Sequence, residues 1–102
     1  MKPAIPNNIG KRRKIINIWG KTVWWLIEDE IARLQSTAKH KVICFQKIRH
    51  EKDNSIEFRF GYYMIGVKAG AKGRWVWGQY ALLIPKGDLL TLLKEAKRRK
   101  WL

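Results

Sequence analysis

The amino-acid sequence predicts an α+β fold in the order α-β-β-β-α, with an N-terminal helix, an antiparallel sheet and a C-terminal helix. Apolar residues recur at helical spacing in the first third of the chain. Segments rich in β-branched and aromatic residues fill the middle, and a leucine stripe follows the last proline. We therefore expect two helices on one face of an antiparallel sheet of three or four strands.

The first ten residues have the composition of a loose arm. They carry two of the three prolines, two asparagines and a glycine, a combination that disfavours a packed element. We expect residues 1–10 to be a flexible N-terminal arm. Residues 11–102 are then one α+β domain, because the length is that of a single domain.

Residues Lys11 to Ser36 are predicted to form the first helix. Its apolar face would consist of Ile16, Val23, Ile27, Ile31 and Leu34. Gly20 interrupts this segment, and further tryptophan and isoleucine residues widen its apolar arc. Such a helix would lie deep in the fold or meet a second subunit.

Three strands are expected after this helix. They are Lys41–Arg49, residues 56–67 and Arg74–Ile84, joined by the turn "HEKDNS" and the loop "KAGAKG". In the second strand alternation directs Ile56, Phe58, Phe60, Tyr62 and Met64 to one face, and Glu57, Arg59, Gly61, Tyr63 and Ile65 to the other. The same period places Trp75 and Trp77 together, either in the core or on an open surface. A bend at Gly66 or Gly78 would make a fourth strand.

The last helix is expected to begin at Lys86-Gly87-Asp88, directly after Pro85. The aspartate lies in the first turn, where the helix dipole favours an anion. Leucines and an alanine form the apolar stripe. Lys94, Lys97, Arg98 and Trp101 form a separate basic and aromatic ridge.

Charge is the strongest indication of function. The chain has 22 Lys and Arg against 8 Asp and Glu, a net charge of +14, which favours a polyanionic partner such as nucleic acid. The one cysteine permits no intramolecular disulfide, and no apolar stretch is long enough to span a membrane. We expect a cytoplasmic protein.

The sequence favours binding over catalysis. The two histidines are ten residues apart, the carboxylates are scattered, and neither H-E-x-x-H, C-x-x-C nor a P-loop is present. We therefore predict no enzyme activity, no metal and no cofactor.

Basic and aromatic residues are interleaved, as single-strand binding requires. Six tryptophans in 102 residues exceed what the core of one small sheet can hold, so some are expected at the surface. The candidate nucleic-acid-binding residues are Lys47, Arg49, Arg59, Tyr63, Lys68, Lys72, Arg74, Trp75, Trp77, Lys97 and Arg98. Tyr63, Trp75 and Trp77 would stack on bases while the cations contact phosphates.

Four segments, "KVICFQKIR", "IEFRFGYYM", "KAGAKGRW" and "LLIPKGDLLTLLKEA", together resemble the single-stranded-DNA-binding domain of the positive-cofactor-four family of transcriptional coactivators. The resemblance covers about 60 residues and rests on spacing and residue type. It implies a dimer built through the C-terminal helix, with Lys47, Arg59, Lys72, Arg74 and Trp77 on single strands. The small single-stranded-DNA-binding proteins of thermophiles are an equally similar family.

The sequence thus predicts a homodimer that binds single-stranded nucleic acid, DNA in preference to RNA, with little sequence preference. Two alternatives stay open. One is a basic protein associated with the ribosome or structured RNA. The other is a dimeric membrane-surface or protein-interaction module, in which "KRRKIINIWGKTVWWLI" would form a basic amphipathic helix at a lipid interface.

Overall fold

A computed structural model describes residues 4–67 and 70–102 and contains a curled, five-stranded antiparallel sheet with one helix. The strands follow one another in space as they do in sequence. They are β1 Arg12–Ile16, β2 Thr22–Gln35, β3 Ala38–His50, β4 Ile56–Ile65 and β5 Trp75–Trp77, and the helix α1 is Lys86–Arg98. The predicted α-β-β-β-α order is therefore wrong, although β3, β4 and α1 occupy segments predicted as strand, strand and helix.

The predicted N-terminal helix is instead the hairpin of β1 and β2. Gly20, which interrupted the helical pattern, has a φ of 75° in the hairpin turn and a conformation that suits glycine. A register shift between Ile27 and Asp29 places a β-bulge at Glu28, and an extra residue reverses the phase of a strand. Ile27 and Ile31 consequently point to opposite faces of the sheet, although their spacing of four imitates a helix.

The predicted strand Arg74–Ile84 is also wrong in extent, because β5 ends at Trp77. The chain leaves the sheet at Gly78, whose N–H donates to the Tyr62 carbonyl at 2.7 Å. The Tyr62 ring occupies the space where a side chain at position 78 would lie. From there the chain crosses to the helix side, where Leu82 and Ile84 pack against the core.

The core lies between α1 and one face of the sheet. Leu92 and Ala96 of the helix are fully buried against Ile31, Ile43 and Phe45. Phe45 also stacks on Phe60, with the ring centroids 4.1 Å apart. Trp101 closes the end of this layer, where its Nε1 donates to Asp29 Oδ2 at 3.1 Å. Burial of these side chains is the main source of stability.

Asp88 fastens the start of α1 to the turn between β2 and β3. Its buried carboxylate accepts hydrogen bonds from the Ser36 N–H and hydroxyl, both at 3.0 Å, and pairs with Arg33 at 3.2 Å. The hydrogen bonds from Ser36 lower the pKa of Asp88, while burial opposes them. Within the described ranges no helix has the length and apolar character needed to cross a membrane.

Asp88→Asn should lower the free energy of unfolding at pH 7 by about 1–3 kcal/mol, because a charged hydrogen-bond acceptor is lost from a buried position. The folded pKa is depressed, so the contribution of Asp88 is present above the unfolded pKa, about 3.9, and disappears as the pH falls through the folded pKa. Urea unfolding at pH 7 and at pH 2–3 measures the difference, which should shrink in acid.

Asp53→Asn is the matched control, because Asp53 makes a similar bond to the Ser55 N–H in an exposed turn. A loss at pH 7 no larger than that of the control would contradict the structural role assigned to Asp88.

Candidate functional site

The face of the sheet opposite α1, which we call the open face, contains a cavity of about 360 Å³. Strand alternation directs one set of residues to the core and the other set here. The lining includes Asn8, Arg13, Trp25, Gln46, Arg59, Tyr63 and Trp77. The volume lies within the range of small-ligand pockets, and the lining combines aromatic rings with cations.

Strand register brings these residues together. Arg13 on β1 pairs with Trp25 on β2, Gln46 on β3 pairs with Arg59 on β4, and Tyr63 pairs with Trp77 on β5. All five strands therefore contribute to the open face. Tyr63 meets Trp77 edge to face, with 4.9 Å between the ring centroids, a favourable aromatic geometry.

The Trp77 indole packs directly against the backbone of Gly61. The ring lies so close above the Gly61 backbone that a Cβ atom there would collide with it. Gly61 is buried at the centre of β4, opposite Cys44 on β3. The absence of a side chain at position 61 therefore allows the Trp77 indole to lie directly against the backbone of β4.

Arg59 lies between two tryptophans. Its guanidinium carbon is 4.7 Å from the ring centroid of Trp25 and 4.9 Å from that of Trp77, within the range of cation–π contacts. Its Nε and Nη2 both donate to Gln46 Oε1, at 3.0 and 2.7 Å. Side chains from β2, β3 and β5 thus fix the plane of the guanidinium.

A buried polar network lies beneath Arg59. Gln46 Nε2 donates to Glu30 Oε2 at 2.6 Å, and the Asn8 N–H and side-chain amide donate to the same carboxylate at 3.1 Å. Asn8 Nδ2 also donates to Tyr63 Oη at 3.0 Å. Asn8, Glu30 and Gln46 are all buried, so their polar groups are satisfied by one another as burial demands.

The two arginines of this face are not paired directly with a carboxylate. Within the described part of the chain, Arg59 and Arg13 form no ion pair with a carboxylate. Burial lowers the pKa of Arg59, and the nearby charge of Arg13 lowers it further. Burial and the second arginine both disfavour the charged form of Arg59. A bound anion would therefore stabilise the Arg59 cation.

The structure unites only some of the predicted site residues. Arg59, Tyr63 and Trp77 line the cavity, and the register of β5 puts Trp75 on the side of Trp77, beside Ile65. Lys72 and Arg74 lie exposed between β4 and β5, whereas Lys68 lies outside the described residues.

The other candidates lie away from the cavity. Gln46 faces the cavity, and the alternation of β3 directs Lys47 and Arg49 to the other side of the sheet. Both of these residues pair with Glu28. The hydrogen bond from Arg49 lowers the pKa of Glu28. Lys97 and Arg98 belong to α1, which packs on the opposite face.

Five residues of the site were not predicted: Asn8, Arg13, Trp25, Glu30 and Gln46. Asn8 lies in the segment interpreted as a flexible arm. Arg13, Trp25 and Glu30 were assigned to the predicted N-terminal helix. A helix would not place Arg13 beside Trp25. The alternation of β3 already pointed Gln46 away from Phe45, so this residue could have been found from the sequence.

Comparison of the chain with family models, with curated proteins and with solved structures gives no match. The resemblance to single-strand-binding families, and the homodimer that it implies, therefore stay predictions. Among the described residues, no group of three or more His, Cys, Asp or Glu is arranged to hold a metal ion.

Gly61→Ala should displace the Trp77 indole from the sheet and lower the free energy of unfolding by about 1–3 kcal/mol, the cost of overpacking. Near-ultraviolet circular dichroism and the indole N–H resonances report the displaced ring, and urea unfolding reports stability.

Gly87→Ala is the control, because nothing lies within 4 Å of a Cβ atom at position 87. It should leave the near-ultraviolet spectrum unchanged and should not lower the free energy of unfolding, because alanine is the better helix former. If Gly61→Ala behaves in the same way, Trp77 does not rest on Gly61.

Proposed function

We propose that the open face binds single-stranded nucleic acid, DNA in preference to RNA, without catalysis and with little sequence preference. The observation that carries the proposal is the Arg59 guanidinium, which contacts Trp25 and Trp77 and has no ion-pair partner among the described residues. Aromatic rings for bases and unpaired cations for phosphates are the two components of a single-strand site. The net charge of +14 adds long-range attraction for a polyanion.

The tryptophans provide the stacking surface. Trp25, Trp77 and Tyr63 are only partly buried, so the sheet fixes each ring without covering it. A base that stacks on such a ring contributes about 1–3 kcal/mol, whichever base it is. Arg59 contacts one face of each indole, so a base would stack on the part of each ring that stays exposed.

Phosphate contacts can extend across the sheet. Arg13 lies on β1 at one edge, Arg59 lies on β4, and Lys72 and Arg74 precede β5 at the other edge. Both Nε and Nη2 of Arg59 are used by Gln46, which leaves Nη1 for a phosphate oxygen. A single strand that crosses from β1 to β5 would meet cations on β1, on β4 and in the segment before β5.

The buried network explains why sequence preference should be small. Base identity is read by hydrogen bonds to base edges. On this face the amides of Asn8 and Gln46 and the carboxylate of Glu30 already bond to one another. Few polar groups remain to read a base edge or a 2′-hydroxyl, which RNA selectivity requires.

Tryptophan fluorescence should be strongly quenched by oligo-dT, with an affinity that falls steeply as salt rises, because phosphate binding releases counterions. Titrations with oligo-dT, oligo-rU and an RNA hairpin at two salt concentrations test this. Tighter binding of the hairpin would favour structured RNA, and no response to any single strand would exclude the proposed function.

Trp77→Ala should weaken oligo-dT binding by about 1–3 kcal/mol, the contribution of one stacked base. Circular dichroism of the free variant separates loss of the ring from loss of folding. A folded variant with unchanged affinity would mean that Trp77 only packs against Tyr63 and Gly61.

Arg13→Gln tests the charge without disturbing the core, since Arg13 is exposed. It should make the salt dependence shallower, by about 0.7 in the slope of log K against log salt, because one phosphate contact is lost. Lys94→Gln removes the same charge from the exposed side of α1 and should leave the slope unchanged. Equal effects of the two variants would point to unspecific attraction by net charge alone.

A further inference from the structure

The turn that joins β1 to β2 exposes a group of apolar side chains that neither the core nor the open face uses. Ile16, Ile18 and Trp19 are 68%, 89% and 77% exposed. They are nearly consecutive, and we call them, with the turn that carries them, the hairpin tip. Exposed apolar side chains grouped in this way usually mark an interaction surface.

The turn backbone is unusually well satisfied. Asn17 Oδ1 accepts hydrogen bonds from the N–H groups of Trp19 and Lys21, both at 3.0 Å. The Gly20 N–H donates to the Asn17 carbonyl at 3.0 Å, and the Asn17 N–H donates to the Lys21 carbonyl at 2.9 Å. These four donors therefore stay hydrogen-bonded when the tip leaves water, which lowers the cost of entering a lipid interface.

The charged residues nearest to the tip along the chain are all positive. No Asp or Glu precedes Glu28 in the sequence, whereas Lys14 and Lys21 flank the tip. Neither lysine forms an ion pair among the described residues. Each cation near an anionic membrane surface contributes about 1 kcal/mol of attraction.

The acidic residues farther along β2 do not oppose this attraction at the tip. Glu28 pairs with Lys47 and Arg49. Asp29 accepts hydrogen bonds from Arg99 and Trp101, and Glu30 is buried in the network below Arg59. All three carboxylates are thus occupied by groups elsewhere in the fold.

We propose that the hairpin tip inserts Ile18 and Trp19 into the headgroup region of an anionic lipid bilayer, with Lys14 and Lys21 against the lipid phosphates. Tryptophan favours such interfaces. A bilayer surrounds a protruding tip on all sides, so it covers the isoleucines as well as the indole. A nucleic acid would stack on Trp19 and leave Ile16 and Ile18 in water. This inference does not rest on nucleic-acid binding at the open face, although Lys14 also lines the cavity there.

The test is cosedimentation of the full chain with vesicles of phosphatidylcholine containing phosphatidylserine. Binding should be strong to these vesicles, weak to pure phosphatidylcholine, and reduced by added salt. The double variant Ile18→Ser/Trp19→Ser should bind at least about tenfold more weakly, because the inserted apolar surface is lost. Lys21→Gln should cause a smaller loss, about fivefold, the equivalent of one cation.

The matched control is Tyr80→Ser/Leu83→Ser, which removes two apolar side chains that are 85% and 83% exposed elsewhere. It should leave vesicle binding unchanged, as should Trp77→Ala. Absence of vesicle binding, or equal losses in the tip variant and the control, would overturn the proposal. So would a tip variant that loses oligonucleotide binding but keeps vesicle binding, or one that only converts a dimer into a monomer.

Discussion

In the part of the chain that the structure describes, one helix covers one face of a five-stranded sheet, and this cover decides which face of β2, β3 and β4 is apolar. Leu92 and Ala96 of α1 supply apolar surface to a single layer of β2, β3 and β4 side chains. The opposite face has no such cover, so it must remain compatible with water. A sheet can meet that requirement with polar residues alone, but here the open face combines cations with large aromatic rings. Large aromatic rings that are exposed to water are unfavourable in a surface with no partner. The composition of the open face therefore indicates that it binds a ligand.

The network under Arg59 shows how the uncompensated charge is maintained. Glu30 does not contact the guanidinium, because Gln46 lies between them and uses its amide to donate to one and its carbonyl to accept from the other. A direct ion pair would position Arg59 equally well but would neutralise it. The intervening amide holds the side chain in place and leaves the charge available. The tryptophans on either side restrict the guanidinium to one plane.

The sequence could predict those strands in which apolar residues recur at every second position without interruption. In β4 every second residue is apolar, and the structure places Phe60 in the core and Arg59 on the open face as the alternation indicates. In β2 the bulge at Glu28 breaks the period of two, and the remaining spacing of four between Ile27 and Ile31 imitates a helix. Asn8 and Glu30 are 22 positions apart in the sequence, and a contact over that separation cannot be predicted from a local sequence pattern.

Both proposed surfaces depend on the hairpin of β1 and β2, which explains why interpreting it as a helix concealed both. At its base Arg13 and Trp25 belong to the open face. At its end the turn carries Ile18 and Trp19. Arg13 and Ile18 are five positions apart along the chain, roughly 17 Å for an extended backbone at 3.3–3.4 Å per residue. A side chain cannot reach across that distance, so a ligand at the base and a bilayer at the tip need not compete. The two surfaces nevertheless share one stretch of backbone, and a ligand that fixes the base of the hairpin also fixes the direction in which its tip points.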